Sequence, residues 1–217
     1  MIITNSDNIN LKSDNMRLQL KIINLLANKK TFTINQIAIQ LNESYSFVNR
    51  TVTKMTAENL ILKEKIGHSF LCKLNTKNDK TRILMSLNEV NRKQEFLNKN
   101  KELKLIADEI LSKIKNKVMS AALFGSYAKN TQTKESDIDL FILAKKSFDT
   151  TELVKNIYAK YGKEVSPIII TEKQLKNQKN KSIIKEIFKY HIILIGFENF
   201  INIMSEDETQ RYYNKSF

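Results

Sequence analysis

Apolar residues recur at helical spacing from Met16 onward, with Leu18, Ile22, Ile23, Leu25 and Leu26 on one face, which predicts a helix ending near Lys30. Thr33 is placed to cap a second helix carrying Ile34, Ile37, Ala38 and Leu41, because its hydroxyl can accept from an otherwise orphaned amide. Ser44 or Ser46 can cap a third, in which Phe47, Val48, Val52, Met55 and Leu60 return at the same spacing. Two short runs follow, 61–66 and 69–74, separated by Gly67-His68, which predicts a β-hairpin. From about Asp79 to Lys117 there is neither Gly nor Pro, and the spacing predicts two helices broken near Asn98–Asn100. Ile106, Ile110, Leu111 and Ile114 form the apolar stripe of the second of these.

Beyond Lys117 the period changes. Residues 118–124 predict a strand, Gly125-Ser126-Tyr127 a turn into a helix, and 138–143 a second strand. A helix over 153–161, a strand over 165–170, a helix over 182–190 and a closing apolar run at 192–195 complete the series. Strands alternating with helices predict an α/β or α+β second half. The divisions that follow are a loose arm over 1–15, a helical domain ending in the hairpin over 16–77, and a helical connector over 78–117. The sheet domain covers 118–204, and 205–217 form a tail without an evident role.

Composition narrows the class. The chain has 217 residues, 41% of them apolar, enough to bury real cores. Its single cysteine, Cys72, excludes a disulfide framework. The N-terminus lacks the basic and apolar segments of a signal peptide, and no apolar run approaches the roughly 20 residues that span a bilayer, so a cytoplasmic protein without a membrane partner is expected. The net charge of +13 is densest toward the N-terminus, with +6 over residues 1–80, +4 over 81–117 and +3 over 118–217. Such a balance favours polyanionic partners through counterion release.

Candidate chemistry concentrates at Gly125-Ser126-Tyr127-Ala128 and, after a polar loop, Ser136-Asp137-Ile138-Asp139-Leu140. Strand alternation sends Asp137 and Asp139 to one side and Ile138 and Leu140 to the other. Adjacent carboxylates repel unless a cation lies between them, and their oxygens suit Mg²⁺. Gly125 permits close backbone approach to a ligand, and Ser126 offers a hydroxyl and free amides to a phosphate. This half resembles the polymerase-β-type, minimal nucleotidyltransferase superfamily, whose signature is Gly-Ser, about ten residues, then Asp-x-Asp. The family commonly has glycine where Asn130 stands here, and a third acid on a later strand where this chain has Ser166. Glu164, two residues earlier and on the same strand face, is the substitute the pattern offers. The resemblance implies an α+β chain in which this half is a mixed sheet flanked by helices. It also implies transfer of a nucleoside monophosphate from an NTP, with ATP the expected donor, to a hydroxyl of protein or nucleic acid. It further implies Asp137 and Asp139 on Mg²⁺, Gly125 and Ser126 on the triphosphate, and Asp137, Asp139 and Glu164 as the catalytic set.

Residues 16–75 resemble winged helix-turn-helix DNA-binding domains in element order and in the segment 44–50. Core positions on the third helix leave Tyr45, Ser46, Asn49, Arg50, Thr53 and Lys54 for double-stranded DNA, with Lys63, Lys65 and His68 of the hairpin for backbone contacts. Two functions follow: a Mg²⁺-dependent nucleotidyltransferase coupled to DNA binding, or a catalytically weak or inactive DNA-binding regulator or antitoxin that retains the fold. The resemblance to minimal nucleotidyltransferases, which often act as antitoxins, also implies a small helical toxin as a partner, and a second copy of the chain is left open.

Overall fold

The computed structural model describes residues 14–27, 31–67, 69–178 and 182–213. Most of the expected loose arm, His68 of the hairpin turn and the last four residues of the expected tail lie outside them. The chain divides into two compact units, Met1–Asn88 and Glu89–Phe217.

The first unit runs α1 (Asp14–Ala27), β1 (Phe32–Thr33), α2 (Ile34–Leu41), α3 (Tyr45–Ala57), β2 (Ile61–Ile66) and β3 (Ser69–Leu74). A capping box opens α2: the Gln36 amide donates to the Thr33 hydroxyl at 3.2 Å, while the Thr33 amide donates to Gln36 Oε1 at 2.8 Å. Of the two serines available for α3 it is Ser44 that caps, accepting from the Phe47 amide at 3.4 Å. The hairpin closes at Ile66 opposite Ser69, and β1 adds to the far side of β3 through Phe32 opposite Cys72, giving an antiparallel order β1-β3-β2. β1, with only two residues, is too short to show a period of two. Leu18, Ile22, Ile23, Ile37, Val48, Val52, Met55, Leu60 and Cys72 are buried in the core.

α4 (Asp79–Lys99) begins in the first unit and ends in the second, and Asn100 separates it from α5 (Lys101–Ile114). The second unit continues with β4 (Val118–Leu123), α6 (Gly125–Lys129), β5 (Ile138–Ala144), α7 (Thr151–Tyr161) and β6 (Val165–Thr171). It closes with α8 (Glu172–Gln178), α9 (Ser182–Lys189), β7 (Ile192–Ile195) and α10 (Phe197–Tyr213). The sheet order is β6-β5-β4-β7; β5 and β6 run parallel and the other pairs antiparallel, so the expected mixed sheet flanked by helices is present. Pro167, which has no amide hydrogen to give, lies on the edge strand β6.

The two sheet faces carry different cores. Ile138, Leu140 and Ile142 of β5 pack with Leu103, Ile106 and Ile110 of α5 and Ile157 of α7. Phe141 points the other way and meets the Phe200 ring edge-on at 6.1 Å, which in turn meets Phe188 of α9 at 5.7 Å. Near this second core lies a buried polar group: His191 Nδ1 donates to the Ile187 carbonyl (3.1 Å), and the His191 carbonyl accepts from Arg92, which pairs with Glu89 at 2.9 Å. Burial drives the His191 pKa down to about 3, with the Arg92 charge adding to the effect. Four aromatic residues, Phe188, Tyr190, Phe197 and Phe200, read from sequence as core. Phe188 and Phe200 are buried and Phe197 is half-buried, whereas Tyr190, the residue that follows α9, is exposed at 37%.

Candidate functional site

β4 delivers the chain into a sharp bend at Gly125, and β5 returns Asp139 beside it, with Asp137 in the residue just before the strand. The Phe124 amide donates to the Asp139 carbonyl at 3.1 Å, which holds the bend against the start of β5. Gly125 has φ +63°, and a Cβ added there would overlap the Asp139 carboxyl group, 2.8 Å from its Cγ and 3.2 Å from its Cβ. Glycine is therefore required twice, for the left-handed backbone and for the space the carboxylate occupies. Ser126 follows, half-buried, at the start of α6, and no side chain caps that helix. α6 ends at Asn130, with φ 58° and ψ 37°. The family glycine is thus replaced by a residue that tolerates the left-handed conformation, since a short amide side chain can bond locally.

Asp139 is half-buried and Asp137 exposed. The Asp139 carboxyl is held above the usual carboxylate range, first by burial, then by the charges of Asp137 and Glu186, with Lys129 acting in the opposite sense. Two neighbouring carboxyl groups of this kind suit a cation between them. Among the described residues no three His, Cys, Asp or Glu side chains converge to hold a metal. Asp137 and Asp139 could offer two carboxylates to a divalent ion such as Mg²⁺, which commonly takes one or two and completes its shell with water and phosphate oxygens.

β6 supplies the third position. Asp139 pairs in register with Ser166, and Ile138 with Val165. The Ile138 amide donates to the Glu164 carbonyl at 2.8 Å, which sets Glu164 alongside Asp137 at the entry of the two parallel strands. Glu164 and Ser166 are both exposed.

Two further charged residues, Lys129 and Glu186, act on Asp139. Lys129 ends α6 and pairs with Glu186 of α9 at 2.6 Å, and its Nζ lies 5.5 Å from the Tyr190 ring centroid. Lys129 stands inside the motif and its charge was a readable signal; Glu186, 57 residues away, carried none. A cavity of about 240 Å³ lies elsewhere, lined by Asn100, Lys101, Glu102, Leu103, Ile106, Tyr127 and Lys163, and neither aspartate borders it.

In the first unit, α3 buries Val48, Thr51, Val52 and Met55. Tyr45, Ser46, Arg50, Thr53 and Lys54 are exposed and Asn49 half-buried, so the six lie off the buried face of α3. The Arg50 guanidinium stacks over Phe47 at 5.9 Å. On the hairpin Lys65 is exposed and Lys63 half-buried.

Comparison with known proteins bears on the second unit. The family model described as "Nucleotidyltransferase domain" matches residues 88–209. Two chains of Methanocaldococcus jannaschii, each named "Putative protein adenylyltransferase", are similar to this one. The first is 30% identical over 94 residues, 43% of this chain and 94% of the relative. The second is 32% identical over 112 residues, 46% of this chain and 76% of the relative. A solved chain described as "Crystal structure of the toxin-antitoxin with AMP-PNP" overlaps 50% of this chain and 90% of its own length, at 19% identity and a TM-score of 0.36.

Proposed function

The chain belongs to the nucleotidyltransferase-domain family, and from that membership we propose that its second unit transfers a nucleoside monophosphate from an NTP to a hydroxyl. The observation that carries the proposal is the Gly125 backbone packed directly against the Asp139 carboxylate, because it joins the phosphate-holding bend and the acid pair in one site. Asp137 and Asp139 hold Mg²⁺, and Gly125 and Ser126 hold the triphosphate through backbone amides and the serine hydroxyl. Bound there, the ion supplies charge neutralisation to the polyphosphate. The acceptor oxygen forms a bond to the α-phosphorus, the α–β bridging bond breaks, and pyrophosphate leaves with the electron pair. Glu164, beside Asp137 at the strand entry, takes the hydroxyl proton. The names of the relatives favour ATP as donor and a protein hydroxyl as acceptor.

Incubating the purified chain with α-labelled ATP and Mg²⁺ tests the reading. Label on a protein or nucleic-acid acceptor, lost in Asp137→Ala/Asp139→Ala, is the expected result; no label and no nucleotide binding by the wild type refutes it.

A second activity is favoured by the exposed polar side of α3. We propose that the first unit is a winged helix-turn-helix that binds double-stranded DNA, with Tyr45, Ser46, Asn49, Arg50, Thr53 and Lys54 toward the duplex. The net charge of +6 over residues 1–80 supports it. A mobility-shift titration that shows no salt-sensitive association removes this reading. If DNA binds while no label is transferred, the protein is the regulator that keeps the fold without the chemistry.

A further inference from the structure

The cavity of about 240 Å³ in the second unit lies away from the acid pair. Leu103 and Ile106 of α5 and Tyr127 of α6 form its apolar part, and all three belong to the core that also takes Ile138 and Leu140. Those two β5 side chains alternate with Asp139, so the cavity lies on the other face of the sheet. Its polar part comes from Asn100, Lys101 and Glu102 at the start of α5 and from Lys163, between α7 and β6.

α5 is a helix of 14 residues that opens into this space without a side-chain cap. Asn100 stands in the capping place but gives its side-chain amide to the Phe96 carbonyl at 2.8 Å. The first amides of the helix, with the positive end of its dipole, are left facing the cavity. Tyr127 supplies a second, independent sign. It is only 7% exposed, yet among the described residues its hydroxyl has no hydrogen-bond partner. A buried tyrosine hydroxyl ordinarily finds one, and Tyr127 borders this cavity.

The charges agree with both. Lys163 Nζ donates to the Lys134 carbonyl, which engages one of three ammonium hydrogens. Lys101 has no ion pair among the described residues. Two ammonium groups against the Glu102 carboxylate leave one positive charge in excess. Amides, ammonium groups and a hydroxyl together make a donor-rich wall, which suits an oxyanion. The volume is below the roughly 300 Å³ at which drug-sized ligands begin to be enclosed. A phosphate with a short carbon stem over Leu103 and Ile106 is of the right size.

We propose that this cavity is an anion site that holds free phosphate or a small phosphate monoester on Lys101, Lys163, the Tyr127 hydroxyl and the first amides of α5. It is separate from the acid pair and does not depend on the transferase reading.

The test follows the amide resonances of the full chain while inorganic phosphate or glycerol phosphate is added, with sodium chloride at matched ionic strength as reference. Saturable shifts at residues 101–103 that chloride does not reproduce are expected. Tyr127→Phe, which keeps the ring in the core, weakens binding roughly tenfold, and Lys163→Met does the same. Lys163→Arg restores most of the affinity. Glu102→Gln tightens binding by about two- to threefold, because it removes a charge that repels the ligand. Tighter binding of glycerol phosphate assigns the site to monoesters; equal or tighter binding of inorganic phosphate assigns it to the free ion. Shifts confined to Gly125 and Ser126, shifts reproduced by chloride, weaker binding in Glu102→Gln, or wild-type affinity in both Tyr127→Phe and Lys163→Met overturns the proposal. None of those results bears on label transfer at the acid pair.

Discussion

Replacing Gly125 with alanine combines two penalties, and Gly162→Ala separates them. Both glycines sit at φ +63°. The left-handed backbone costs a residue with a Cβ roughly 1–2 kcal/mol. At Gly162, after the C-terminus of α7, an added Cβ meets nothing within 4 Å, so that substitution carries the backbone cost alone. At Gly125 the same atom would lie 2.8 Å from the Asp139 Cγ, well inside carbon–carbon contact distance. The carboxylate must rotate off its rotamer, which adds about 0.5–1.5 kcal/mol. Urea unfolding is expected to show Gly125→Ala losing roughly 2–3 kcal/mol and Gly162→Ala about 1–2. The functional difference is larger. With Asp139 turned away, Gly125→Ala is expected to bind the Mg²⁺ complex of a non-hydrolysable ATP analogue at least tenfold more weakly by calorimetry, while Gly162→Ala binds as wild type. If both variants keep wild-type affinity, the bend does not position the carboxylate and the site is misread.

His191 makes stability fall in acid: the folded state keeps the ring neutral down to about pH 3, whereas the unfolded chain takes up a proton below about 6.5. Unfolding free energy is therefore expected to drop by about 1.4 kcal/mol per pH unit below that point, partly offset by Glu89, whose carboxyl burial pushes up. His191→Leu flattens the profile, and an unchanged slope contradicts the burial argument. Arg50→Ala and Lys54→Ala each weaken DNA association, and each phosphate contact removed lowers the salt slope by about 0.9; unchanged binding excludes α3 from the interface. Asp139→Asn, measured in chelator, raises the melting temperature by removing one of two adjacent like charges while abolishing nucleotide binding. A lower melting temperature would show the carboxylate to be structural.

Local chemistry explains which elements could be read from the chain. The Thr33 cap, a serine cap on α3, the hairpin over 61–74 and the helix break near Asn100 depend on neighbours within a few residues and appear as expected, while the reciprocal bond from the Thr33 amide to Gln36 and the choice of Ser44 over Ser46 emerge only in the structure. β1 has only two residues, and α8 is polar enough to resemble a loop. α10 has only a weak apolar stripe. Tyr190 reads as core from the sequence, but it follows the end of α9 and is exposed. The acid pair and the glycine bend were visible because the motif is local. The Lys129–Glu186 pair was not, since its two residues lie 57 apart in the chain and meet only in the folded unit.

Mn²⁺ offers a spectroscopic reading of the acid pair itself. Free Mn²⁺ can be followed by its paramagnetic resonance signal while the full chain is titrated into the ion and a non-hydrolysable ATP analogue. Wild type is expected to quench the signal beyond the level set by the analogue, and Asp137→Ala/Asp139→Ala to leave it at that level. Equal quenching by both proteins would contradict the assignment of the ion to these two carboxylates.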